Sequence, residues 1–107
     1  MPEFEAVYNE AEKSLTCRFS SRLDSVASTA LAKEMEKLLQ EALTKAPTDL
    51  KVIFDLEKVD YVASAFFRVC LSVAKKLGKG NFSVVSCNPL VKKTFAIAGL
   101  DKVMKVG

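Results

Sequence analysis

The stretch Val52-Ile53-Phe54-Asp55-Leu56, with the run Val59-Asp60-Tyr61-Val62-Ala63-Ser64-Ala65-Phe66-Phe67 that follows it, decides how the chain folds. The first five residues are apolar but for one aspartate, the pattern of a strand covered on both faces at the centre of a sheet. After a short polar loop, Phe67, Cys70, Leu71, Ala74 and Leu77 recur at helical spacing and mark the sheet-facing side of a helix. Lys75 and Lys76 complement the negative end of that helix, and Gly78 supplies a left-handed stop. Phe82-Ser83-Val84-Val85-Ser86 then reads as a second strand. A strand, a helix and a strand of these lengths form a crossover unit, because parallel strands need a long connection.

Upstream, Phe4, Ala6 and Tyr8 alternate, as do Leu15, Cys17 and Phe19, with the turn-like Asn9-Glu10-Ala11-Glu12-Lys13 between them. This period of two predicts a hairpin with one wet face. A polar connection over 20–25 leads to Leu31, Met35, Leu38, Leu39 and Ala42, a long amphipathic helix ending before Pro47 with Ser25 or Ser28 as its N-cap. Downstream, Asn88-Pro89 opens a short helix that Gly99 closes, and residues 103–106 make a last short strand. The expected architecture is one α/β domain over 1–107, with a mixed sheet of four to five strands. Its helices pack mainly on one side, and the opening hairpin strand lies at an edge.

The 107 residues suffice for one buried core, and their apolar half with 27% charge excludes disorder for most of the chain. There is no histidine, so imidazole bases, proton shuttles and His-metal sites are excluded together. Cys17, Cys70 and Cys87 show no Cys-x-x-Cys spacing and read as buried reduced thiols. No apolar run is long enough to cross a bilayer, and the start Met1-Pro2-Glu3-Phe4-Glu5 lacks the pattern of a secretory signal, so a cytoplasmic location is expected. The four glycines form no phosphate-binding spacing. Asp55 reads as a strand terminator and Asp24 as the organiser of a turn, in preference to a catalytic carboxylate pair. Neither an enzyme nor a cofactor is indicated.

Charge is divided unevenly. Residues 75–107 hold seven lysines, Lys75, Lys76, Lys79, Lys92, Lys93, Lys102 and Lys105, against Asp101 alone, whereas residues 1–74 carry net −3. Most such lysine sets are simply solvated; a nucleic acid or an anionic membrane is the less favoured reading, because interleaved arginine and exposed aromatics, which read bases, are missing from this set.

The words Val52 to Leu56, Val59 to Val69, Asn88-Pro89-Leu90-Val91 and Ala98-Gly99-Leu100-Asp101, taken in order, resemble the STAS domain, the family that includes bacterial anti-sigma-factor antagonists. Ser21-Arg22-Leu23-Asp24-Ser25 is similar to the Gly-Arg-Leu-Asp segment that precedes the family's first long helix. The resemblance implies protein-protein recognition, with a serine-kinase anti-sigma factor as partner in a switch that controls transcription. The family's Asp-Ser-Ser-Gly-Leu turn falls on Ala63-Ser64-Ala65-Phe66-Phe67, which makes Ser64 the counterpart of the phosphorylated serine and Arg68 that of a basic following position. Ala63, Ala65 and Phe66 depart from the acidic residue, the second serine and the glycine. The docking surface implied comprises Asp24, Ser25, Ala63, Ser64, Ala65, Phe66 and Arg68.

A serine that opens a helix either caps it through its hydroxyl or, once phosphorylated, places about two negative charges against the same amides. Phe66, Val69 and Val73 form a second apolar line on this helix. Either a flanking element covers that line or it is an exposed patch through which two copies pair. The departures also suit a STAS adaptor that is never phosphorylated, a fixed subunit of a transport or signalling assembly.

Overall fold

A computed structural model describes residues 4–20, 22–78 and 80–107. Strands β1 (Phe4–Asn9) and β2 (Ser14–Phe19) form the hairpin, and helix α1 (Ser25–Lys45) leads to β3 (Lys51–Asp55). Helix α2 (Ser64–Leu77), β4 (Phe82–Val85), α3 (Pro89–Ile97), a 3-10 turn (Leu100–Lys102) and β5 (Lys105–Val106) complete the order. The sheet runs β1-β2-β3-β4-β5, antiparallel at β1-β2 and parallel at the other three pairings. β3 is central and β1 lies at an edge, as the sequence suggests.

This order fixes where the helices go. Each crossover advances one strand in the same direction, and the right-handed rule then places α1, α2 and α3 on one face. Burial agrees. Leu15, Cys17 and Phe19 of β2, Val52 and Phe54 of β3, and Phe82 and Val84 of β4 are all buried. Their register neighbours on the other face, Thr16, Ile53, Ser83 and Val85, are only half-buried. β3 is therefore not covered on both faces: Ile53 belongs to an open face, and the apolar run reflects its central position. Ala6 of the edge strand is exposed although its alternation placed it inward: α1 reaches the neighbouring Tyr8, whose ring lies 5.0 Å from the Lys45 ammonium, but leaves Ala6 uncovered.

The core is aromatic along its length. Phe54 meets Phe19 edge-on at 5.2 Å and Phe82 at 4.9 Å. From α2, Phe66 reaches Phe19 at 5.8 Å and Phe54 at 5.9 Å, and Phe67 meets Phe95 of α3 at 4.9 Å. Offset and edge contacts of this kind add to the area term of burial.

Two expectations about α2 are corrected. The sheet-facing line is Phe66, Val69, Cys70, Val73 and Ala74, while Phe67, Leu71 and Leu77 are half-buried. The phase of the helix is rotated by about one residue from the line the spacing favoured, because Phe66 fills the space among Phe19 and Phe54 of the strands and Phe95 of α3. Consequently Phe66, Val69 and Val73 form no exposed patch, and pairing of two copies through them has no surface to use. Cys17 and Cys70 are buried, and Cys87 is half-buried.

α1 is N-capped by Asp24, whose carboxylate accepts from the Ala27 amide at 2.9 Å. Neither Ser25 nor Ser28 caps it. The buried Ser28 hydroxyl instead donates to the Leu23 carbonyl at 3.3 Å. Gly78, at φ 81° and ψ 163°, closes α2 with a positive φ that side chains disfavour.

Candidate functional site

In a parallel sheet with crossover helices, every helix begins where a strand ends, so the starts of α1, α2 and α3 gather at the carboxyl end of β2, β3 and β4. Open α/β sheets place ligands outside this edge. Here the loops at that edge are tied together by backbone bonds. The Leu23 amide donates to the Tyr61 carbonyl at 2.9 Å, and the Ala63 amide donates to the Leu23 carbonyl at 2.8 Å. This single parallel bridge, Leu23 to Val62, holds Asp24 and Ser25 beside Ser64 although 39 positions separate Ser25 from Ser64 in the chain. The Asn88 side chain donates to the Val59 carbonyl at 3.4 Å and accepts from the Val91 amide at 2.8 Å, which joins the start of α3 to the same loop.

Ser64 is exposed at the first position of α2. It is not the N-cap. Ala63 holds that position at φ −92° and ψ 164°, and no side chain of the described residues caps the helix. The Phe66 amide donates to the Ala63 carbonyl at 2.9 Å, which leaves the Ser64 and Ala65 amides as the open donors of the first turn among the described residues, and no acidic side chain occupies that turn. Asp24, Ser25 and Arg68 are exposed, and Ala65 is half-buried. Ala63 is buried and Phe66 is 0% exposed, so neither presents a side chain to a partner. The bulk that Phe66 adds in place of glycine points into the core.

Arg68 and Ala65 border a groove of about 530 Å³ between α1 and α2, whose α1 wall includes Thr29, Ala32 and Glu36. One neighbour was not legible as a site residue. Tyr61, three positions before Ser64, is 43% exposed with the Arg22 guanidinium 4.6 Å over its ring. Arg22 arrives there through the Leu23–Val62 bridge, and pairing between distant loops leaves no periodic signal.

The two aspartates have structural partners. Asp55 accepts from the Glu57 amide at 3.0 Å and lies 3.6 Å from Arg18, while Asp24 caps α1. Burial raises the thiol pKa of Cys17 to about 12 and pushes those of Cys70 and Cys87 up, which keeps all three protonated and weakly nucleophilic at neutral pH. Among the described residues no group of three or more His, Cys, Asp or Glu could hold a metal, and no helix is long and apolar enough to cross a membrane. Lys75, Lys76, Lys92, Lys93, Lys102 and Lys105 are exposed. Ser21 and Lys79 lie outside the described residues.

A mixed sheet with its helices on one face, and an exposed serine opening the central crossover helix, is the arrangement of one family of α/β domains. The chain belongs to the STAS domain family, whose model matches residues 5–107. It is 34% identical over 86 residues to the putative anti-sigma factor antagonist BtrV of Bordetella bronchiseptica, spanning 78% of this chain and 72% of that one. Its structure is similar to that of an anti-sigma factor antagonist from Mycobacterium paratuberculosis, with TM-score 0.75 and 20% identity over 97% of this chain and 85% of the other. The antagonist SpoIIAA in its unphosphorylated form gives TM-score 0.73 and 16% identity, covering 98% and 88%. SpoIIAA of Bacillus in its phosphorylated form gives 0.67 and 15%, covering 98% and 91%. The chain is thus an antagonist-like STAS domain.

Proposed function

We propose that residues 1–107 act as one cytoplasmic partner-switching domain that binds a serine-kinase anti-sigma factor, and that Ser64 is the hydroxyl the kinase modifies. The observation that carries this is the exposure of Ser64 at the uncapped start of α2, beside Asp24 and Ser25. The docking surface is Asp24, Ser25, Ser64, Ala65 and Arg68, with the small Ala63 setting the backbone beneath it. In this reading the chain binds and does not catalyse.

The switch is electrostatic. A partner seated over a neutral hydroxyl excludes water from it, and a phosphate there adds about −1.5 to −2 charges to that contact. The same phosphate gains from the open amides and the positive end of the α2 dipole, so the modified state remains compatible with the fold. Binding is lost while the domain stays intact. The solved forms of SpoIIAA, unmodified and phosphorylated, support the compatibility of this fold with such a change.

The test is incubation with a kinase-type anti-sigma factor and ATP, with the phosphate located by mass spectrometry. Phosphate on Ser64, binding by Ser64→Ala and loss of binding by Ser64→Asp support the switch. An unmodified Ser64, with both variants binding like the parent, refutes it. That result would favour the unphosphorylated adaptor, for which the specific observation is alanine at both 63 and 65, where the resemblance expects an acid and a second serine.

A further inference from the structure

α3 is apolar on two sides. Val91 and Phe95 are buried against the domain, yet Leu90 is 68% and Ile97 77% exposed. Seven residues are nearly two helical turns, so Leu90 and Ile97 project along one line, with the exposed Lys93 between them. α3 carries no acidic residue, and Lys92, Lys102 and Lys105 are exposed on α3 and the two short elements after it. Val103, 43% exposed, follows the 3-10 turn. The protein-recognition reading uses none of these side chains.

We propose that the outer face of α3 is a membrane-docking surface for an anionic bilayer. Leu90 and Ile97 enter the headgroup boundary, and Lys93 between them, with Lys102 and Lys105 of the short elements that follow, meets the anionic headgroups, whereas Lys92, about 200° round the helix from Leu90, takes no part. Three features select this occupant. Aliphatic side chains two-thirds or more exposed stand proud of the helix and need no complementary pocket, which suits a soft interface. Lysine, a flexible point charge with a long apolar stem, keeps its ammonium at headgroup level while the stem follows Leu90 and Ile97 inward. Nucleic acid is disfavoured because the face lacks arginine and aromatic rings to stack on bases. Attachment there is peripheral and reversible, and it does not depend on Ser64.

Vesicle flotation tests the proposal. The full chain partitions onto phosphatidylcholine vesicles containing phosphatidylserine and not onto pure phosphatidylcholine, with less bound as salt rises. Leu90→Ser combined with Ile97→Ser weakens partition about tenfold or more, through lost apolar insertion. An unchanged melting curve shows that this variant is folded. The chain has no tryptophan, so Ile97→Trp provides a clean reporter whose emission shifts to the blue on the anionic vesicles. Absence of partition overturns the proposal. So does undiminished binding by the double variant, which would reduce the effect to charge alone. Capture of an acidic protein by this face without vesicle binding assigns it to a protein partner and likewise overturns the proposal.

Discussion

The starts of α1 and α3 differ from the start of α2, although all three lie at one edge of the sheet. Asp24 closes α1 with a 2.9 Å bond to the Ala27 amide, and Asn88 closes α3 with a 2.8 Å bond to Val91. α2 has alanine in the equivalent place and no side-chain cap. A good cap contributes about 1 kcal/mol, so α2 forgoes that local term. Its position comes instead from two longer-range sources, the backbone bonds between Leu23 and Tyr61–Ala63 and the burial of Phe66. Two helix starts are closed locally, and the third is held from beneath with its outer side open.

That contrast breaks first at Phe66. Phe66→Ala removes a fully buried ring in contact with Phe19 and Phe54, and denaturant unfolding should show a loss near the top of the roughly 3–5 kcal/mol range for such truncations. A loss below about 1 kcal/mol would mean that α2 is not held by this ring. Asn88→Ala comes next, at about 2 kcal/mol, because one substitution deletes both the α3 cap and the bond to the Val59 carbonyl. Asp24→Ala, with a cap alone to lose, should cost about 1 kcal/mol by the same measurement.

The buried side of α2 also has a pH signature. Burial pushes the Cys70 thiol well above its ordinary value of 9.0. Below that value both folded and unfolded chains hold the proton, and stability is insensitive to this group. Above it the unfolded chain releases the proton first, so stability falls as pH rises, by at most about 1.4 kcal/mol per pH unit per thiol. Unfolding midpoints at neutral and alkaline pH should therefore diverge less for Cys70→Ala than for the parent.

How much of this was legible in the sequence follows from the same contrast. Local signals were readable: alternation gave the hairpin, spacing gave α1, and Asn88-Pro89 with Gly99 gave the limits of α3. The Ser64 position at the start of α2 was readable through its resemblance to the STAS motif. What failed was decided at a distance. Two apolar lines on α2 are equivalent by spacing, and only Phe19 and Phe54 of the strands with Phe95 of α3 select Phe66 over Phe67 for the core. The aspartate at 24 caps α1 because the preceding Leu23 is fixed by a bridge to Val62, leaving Ser25 already inside the helix. Arg22 meets the Tyr61 ring for the same reason, and nothing local to Arg22 announces that contact.

The smallest effect discriminates best. Ser64→Asp puts a carboxylate on the first turn of α2, where no acid now sits and the amides are uncapped. A negative charge there interacts favourably with the helix dipole, by about 0.3–1 kcal/mol at low salt. Stability should hold or rise slightly, and the gain should shrink as salt is added. A corresponding aspartate at Ser25 of α1 meets amides already engaged by Asp24 and gains less. If Ser64→Asp instead destabilises the fold by more than about 1 kcal/mol, the hydroxyl is part of the packing. Any loss of partner binding by that variant would then report unfolding and not a switch. Stability measured on the isolated chain therefore has to precede the binding comparison, because it fixes what that comparison means.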